Sequence, residues 1–211
     1  MLNEDYLFPE IEIEWAFDPS LGQDAVGFFR QLNEVLAPRK KRCLGYVWIG
    51  DPVSENPENV SGIMIEVDDN LMKRTQSSTA RIALFGEDLH PVITLDEHYS
   101  SALQNDNQSV FPIYHEIGHF ECGHLRSNTN TAPLQNRKNG VVESISEEVE
   151  ADLFASHYVS PEECISFLQD RQEYVFRMQL LGEGIKENVD AMLTEYSARI
   201  AAIADHWDIE L

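Results

Sequence analysis

The stretch Val110-Phe111-Pro112-Ile113-Tyr114-His115-Glu116-Ile117-Gly118-His119 decides how this chain is read. The run from Val110 to Tyr114 predicts the opening of a helix, and the two histidines that follow stand four residues apart. On an α-helix that spacing puts both imidazoles on one face, one turn apart, where they can bind a single tetrahedral Zn²⁺. Glu116, next to the first of them, is placed as a base toward water on the metal rather than as a ligand.

Such a site needs a third ligand, and a second acidic helix supplies candidates. In Ser146-Glu147-Glu148-Val149-Glu150-Ala151-Asp152-Leu153-Phe154-Ala155, Glu148 and Asp152 occupy positions i and i+4. Glu148 would complete a His₂Glu set, while Asp152, one turn on, would accept the free ring N–H of a ligand histidine and fix its tautomer. Glu147 and Glu150 compete for the ligand role, because helix phase is open by a residue, but neither has an acidic partner four positions later. A solvated acidic helix face is the competing reading of the segment in isolation. His124 lies about 180° from His115 around a continuous helix and is therefore read as a non-ligand. Tyr114, Tyr158 and His124 are all candidates to support an oxyanion.

Outward from the motif, the chain divides into a mixed front half and a helical back half. Leu21, Ala25, Phe28, Phe29, Leu32, Val35 and Leu36 recur at helical spacing until Pro38. Runs rich in β-branched and aromatic residues at Leu44 to Ile49, Ile63 to Val67, Arg81 to Phe85 and Pro91 to Leu95 predict a small sheet. The polar, aperiodic segment from Arg126 to Gly140 reads as a loop or mobile flap. Ser144 with Glu147 makes a candidate capping box, and Ser160-Pro161-Glu162-Glu163 predicts the start of another helix running to about Leu181. Val189, Met192, Leu193, Tyr196, Ile200 and Ile203 predict a last amphipathic helix whose apolar face is core.

The whole chain has 211 residues, with 37 acidic against 15 basic side chains and a net charge of −22. That field repels phosphate backbones and anionic headgroups, so no nucleic-acid and no membrane partner is expected. The dense basic run, Arg39-Lys40-Lys41-Arg42, reads as a solvated turn. Cys43, Cys122 and Cys164 form no CxxC pair and suit reduced thiols better than a disulfide framework. The first residues are acidic where a secretory signal is basic, and no apolar run reaches the roughly 18 residues of a membrane span. A cytoplasmic location is expected.

The histidine motif followed by Glu148 and Asp152 resembles the gluzincin pattern. More narrowly, His115 to His119 with Glu148-x-x-Ala151-Asp152-x-Phe154-Ala155 and Pro161 resembles the ImmA/IrrE family of intracellular metallopeptidases. The metzincin pattern fails on register, since it needs Gly and His where this chain has Cys122 and Leu125. The resemblance, which covers about Arg81 to Pro161, implies an α+β fold: a zincin-like domain over residues 1–160, with a small mixed or antiparallel sheet packed on the helix of His115 and His119; the helical periodicity beyond it adds a C-terminal helical hairpin over 161–211 packed on the same domain. It implies that Pro91 to Leu95 is the edge strand along which peptide would lie. It also implies a zinc metalloendopeptidase with Zn²⁺ on His115, His119 and Glu148, Glu116 as catalytic base and then acid, and Asp152 behind a ligand histidine. Its substrate would be a protein or peptide such as a transcriptional repressor. The rival expectation is a zinc-containing regulatory or binding module without peptidase activity.

Overall fold

Strict alternation of Glu10, Glu12 and Glu14 with Ile11, Ile13 and Trp15 produces the first strand, β1 (Glu10–Trp15), in the computed structural model. The structure describes residues 8–50, 61–68, 79–85, 89–105, 108–127, 141–181 and 186–211. They belong to two compact units that divide between Gln108 and Ser109.

In the first unit β1 is followed by α1 (Gln23–Leu36), a 3₁₀ turn at Ala37–Arg39, β2 (Lys41–Gly50), β3 (Ser61–Asp68), β4 (Ala80–Phe85), β5 (His90–Leu95) and α2 (Glu97–Leu103). The five strands make one mixed sheet in the order β1-β2-β3-β5-β4, in which β3 and β5 run parallel and the other neighbours antiparallel. Val47, Ile63, Ile65, Val67, Ile93 and Leu95 are fully buried. Phe29 and Leu36 of α1 pack with Cys43 and Tyr46 of β2.

All four strands expected from composition are present, and the fold is α+β with a mixed sheet. Two elements were not foreseen: β1, and α2, whose N-cap Asp96 accepts a hydrogen bond from the Tyr99 backbone N–H at 2.9 Å. One expectation is corrected. The strand carrying Pro91 to Leu95 is no edge, because it pairs with β3 on one side and β4 on the other; among the described residues β4 is the edge strand there. Val92, Ile93, Thr94 and Leu95 are all buried, as an interior strand covered on both faces requires, and the Thr94 hydroxyl donates to Glu66 at 3.0 Å. In the basic run, Lys41 pairs with Glu66, and Arg42 donates to both carboxylate oxygens of Glu97 at 3.0 Å. Two of its four charges are thus neutralised locally.

The second unit is helical: α3 (Phe111–Glu121), α4 (His124–Ser127), α5 (Val141–Ala155), α6 (Pro161–Leu180) and α7 (Lys186–Trp207). Ser160 caps α6 as its sequence predicts, accepting from the Glu163 N–H at 3.2 Å. α5 runs from Val141 and encloses Ser144, so the helix begins before the residue expected to start it. Arg126 and Ser127 belong to α4, and the rest of the expected loop, 128–140, lies outside the described residues. Phe111, Ala155, Val159, Cys164, Ile165, Leu168, Ile200, Ile203 and Ala204 share one core. Residues on both sides of position 160 share this core. Among the described residues no helix is long and apolar enough to cross a membrane.

Candidate metal centre

The centre is set by how closely α3 and α5 approach. A Cβ on Gly118 would stand 2.8 Å from the Ala151 carbonyl oxygen, 2.9 Å from its Cα and 3.2 Å from Phe154 Cβ. Two of these atoms are backbone and cannot rotate away. Glycine opposite alanine thus lets the helices touch, and Glu148, one turn before Ala151, reaches the histidines. Gly118→Ala is expected to destabilise the fold. Overpacking typically costs about 1–3 kcal/mol, more than the helix-propensity gain of up to about 1 kcal/mol. Urea denaturation reads the difference, and an unchanged or raised midpoint would contradict this account of the contact.

The ring nitrogens and the carboxylate converge. His115 Nε2 lies 3.1 Å from His119 Nε2 and 3.2 Å from Glu148 Oε2, and His119 Nε2 lies 3.4 Å from Glu148 Oε1. Lone pairs aimed at one another repel unless a cation stands among them, so His115, His119 and Glu148 could hold a metal ion. Glu147, a competitor for the ligand role, belongs to no such group among the described residues.

Behind His115 the arrangement is buried and charged. Its Nδ1–H donates to Asp152 Oδ1 at 2.7 Å, and Asp152 is fully buried. Arg199 of α7 holds both oxygens of that carboxylate, with Nε 2.6 Å from Oδ2 and Nη2 2.8 Å from Oδ1. Its Nη1 lies 3.1 Å from Glu148 Oε2 and 3.4 Å from Glu195 Oε1. Trp207 Nε1 donates to Ser156 Oγ at 2.8 Å, so α7 is tied to the α5 end of the unit at a second point.

These contacts fix the charges. Burial alone would lower the His115 pKa, but the charge and hydrogen bond of Asp152, with the hydrogen bond of Glu148, push it up to about 10. Without a metal, a proton supplies the positive charge the site demands. Burial likewise opposes ionisation of Glu148, yet hydrogen bonds from His115 and His119 and the Arg199 charge hold its pKa far below the carboxylate range. Asp152 is held low against burial by Arg199 and His115. Burial, with Glu150 and Glu121 nearby, pushes the Cys122 thiol up to about 12.

Glu116 sits on α3 beside His115, partly buried and outside the convergent group. Tyr114 and Tyr158, two of the oxyanion candidates, stack ring on ring with centroids 5.2 Å apart. The third, His124, is turned toward the centre. The helix is not continuous through it: α3 ends at Glu121, and Gly123, at φ 78°, redirects the chain into α4. His124 Nδ1 stands 2.8 Å from His119 Nδ1, and its Nε2 lies 3.1 Å from Glu150 Oε2. The placement of His124 on the far side of the helix is therefore corrected, although it is not one of the three convergent groups. Cys122, His124 and Glu150 form a second set with ligand atoms within 4.8 Å of one another.

Arg199 and the contact of His124 with His119 escaped the sequence reading. Arg199 carried a signal: it falls on the apolar stripe of α7, three residues after Tyr196 and four before Ile203, where a charge requires a buried partner. No family model matches the chain, and no curated protein or solved structure is similar enough to count as a match.

Proposed function

We propose that the chain is a zinc metallopeptidase of zincin-like fold, with His115, His119 and Glu148 as ligands and Glu116 as the proton-transfer residue. The observation that carries this reading is the convergence of two ring nitrogens and a carboxylate at 3.1 to 3.4 Å. Ligand atoms about 2.0–2.1 Å from a tetrahedral zinc stand about 3.3 Å apart, so the donor set fits the ion in spacing as well as in chemistry. Zinc held by three protein ligands supplies Lewis-acid chemistry, making water acidic enough to be activated near neutral pH and polarising a carbonyl.

The protein's own groups do the rest. Asp152 keeps the His115 proton on Nδ1, which leaves Nε2 as the donor toward the metal. Arg199 keeps Asp152 ionised. Glu116 accepts the proton of the attacking water and returns it to the departing amine, one carboxylate acting as base and then as acid. A protein substrate such as a transcriptional repressor, in a cytoplasmic setting, belongs to the same proposal and is supported by the motif resemblance.

Elemental analysis of the purified chain tests the reading. One equivalent of zinc is expected in the parent, and Glu148→Ala is expected to lose it. Full zinc retention by Glu148→Ala would overturn this ligand set, and so would a metal-free parent.

A further inference from the structure

The two Nδ1 atoms of His119 and His124, 2.8 Å apart, must share one proton. With none, two lone pairs face each other; with two, two N–H groups collide. The direction of that hydrogen bond decides what the opposite face of each ring can do, because a neutral imidazole with a protonated Nδ1 presents a lone pair at Nε2 and the converse.

If the proton sits on His119, its Nε2 offers a lone pair toward His115 and Glu148. His124 then accepts at Nδ1, carries its own proton on Nε2, and donates it to Glu150 Oε2 at 3.1 Å. In this direction each of the four ring nitrogens faces a group it can bind. If the proton sits on His124 instead, His119 Nε2 must carry a hydrogen and ceases to be a donor toward a metal. The His124 Nε2 lone pair then faces a carboxylate oxygen with nothing between them, unless a second cation lies among Cys122, His124 and Glu150. The two clusters are thus alternatives, linked by one proton.

We propose that His124, held by Glu150, is the positioning residue for His119, setting the tautomer in which His119 binds metal, and that Cys122, His124 and Glu150 do not hold a second ion. This rests on His119 being a metal ligand, as argued above. It gives each ligand histidine its own support: Asp152 with Arg199 behind His115, and His124 with Glu150 behind His119. Gly123 makes the second support available, since only its left-handed backbone returns the chain to place His124, five residues on, against His119.

Zinc affinity by chelator competition and the visible spectrum of the cobalt-substituted chain test the proposal. His124→Leu is expected to lower zinc affinity by about 10–100-fold, the range found for lost partners of metal-bound histidines. His124→Asn, which sets a carbonyl oxygen near the former Nδ1, should recover most of that loss and restore the parent cobalt spectrum. A purely structural role would give no such recovery. Glu150→Ala should cause a smaller loss in the same direction, and it carries the test if His124→Leu fails to fold. Cys122→Ser should leave affinity and stoichiometry unchanged, and the parent should show no thiolate-to-cobalt charge-transfer band.

Parent-like affinity in His124→Leu overturns the proposal, and so does a second equivalent of metal that Cys122→Ser removes. A parent that binds no zinc, or a Glu148→Ala variant that keeps it, overturns the metal-site reading and this inference together. Failure of the relay alone appears as one Glu148-dependent zinc that is indifferent to His124.

Discussion

Replacing Arg199 with leucine is expected to cost about 3–5 kcal/mol of folding stability and to weaken metal binding at His115, although Arg199 itself is no ligand. The size follows from the desolvation of its partner. Asp152 is fully buried and Arg199 is 7% exposed, so removing the guanidinium strands a carboxylate where water does not reach it. The bidentate geometry, 2.6 and 2.8 Å, holds both oxygens at once, whereas His115 reaches only Oδ1. The carboxylate can escape only by taking up a proton, and a neutral acid no longer holds the His115 Nδ1–H as an ionised acceptor does. Arg199→Lys keeps the charge but not the fork and should fall between parent and leucine variant. The double variant Arg199→Met with Asp152→Leu separates the two effects. Exchanging both members of a buried pair for apolar groups is often close to neutral, so most stability should return. The loss in zinc affinity should remain at about 10–100-fold, because His115 stays without its acceptor. Urea denaturation in the presence of chelator reads stability free of any contribution from bound metal. A leucine variant within about 1 kcal/mol of the parent would mean that Asp152 finds other partners, contrary to this account.

Arg199 also shows where sequence stops informing. His115 with His119, and Glu148 with Asp152, are pairs one helical turn apart, so the pattern of a single helix announces each of them. What the pattern does not contain is the pairing of helices. Arg199 meets Asp152 across 47 positions, a distance in the chain with no local signature, and only its place on an apolar stripe hints at a buried partner. The sheet divides in the same way. Its apolar runs mark four strands, but their order is decided by long-range pairing, which is why the strand of Pro91 to Leu95 lies inside the sheet and not at its edge. The alternation of Glu and Ile in Glu10–Trp15 was legible in principle as a half-buried strand. His124 is the intermediate case. A glycine two residues beyond the end of a helix is a familiar terminator, and reading Gly123 in that way would have broken the helix before His124.

Glu116→Gln is expected to keep one equivalent of zinc and to lose peptide cleavage by about 10²–10⁴-fold, the range ascribed to positioned acid–base groups. The two parts of this outcome have different causes. Metal retention follows because Glu116 stands outside the group formed by His115, His119 and Glu148, and because glutamine matches its shape. Stability should shift by less than about 0.5 kcal/mol, since the side chain is only partly buried and the change is isosteric. The rate falls because an amide nitrogen cannot take a proton from water or hand one to a leaving amine, whereas every other group keeps its place. The measurement is mass-spectrometric detection of new termini in a mixture of unstructured peptides, with the parent, the parent after chelation and the variant in parallel. Cleavage that vanishes on chelation and in the variant ties the chemistry to this carboxylate beside this centre. If the variant holds its zinc and cleaves at the parent rate, the proton goes elsewhere, and the histidine-rich face of α3 has been given the wrong base. If a zinc-loaded parent cleaves nothing across a broad mixture, then three ligands and an intact Asp152–Arg199 support describe a metal centre whose work is not general hydrolysis, and a regulatory zinc module becomes the better reading of the same geometry.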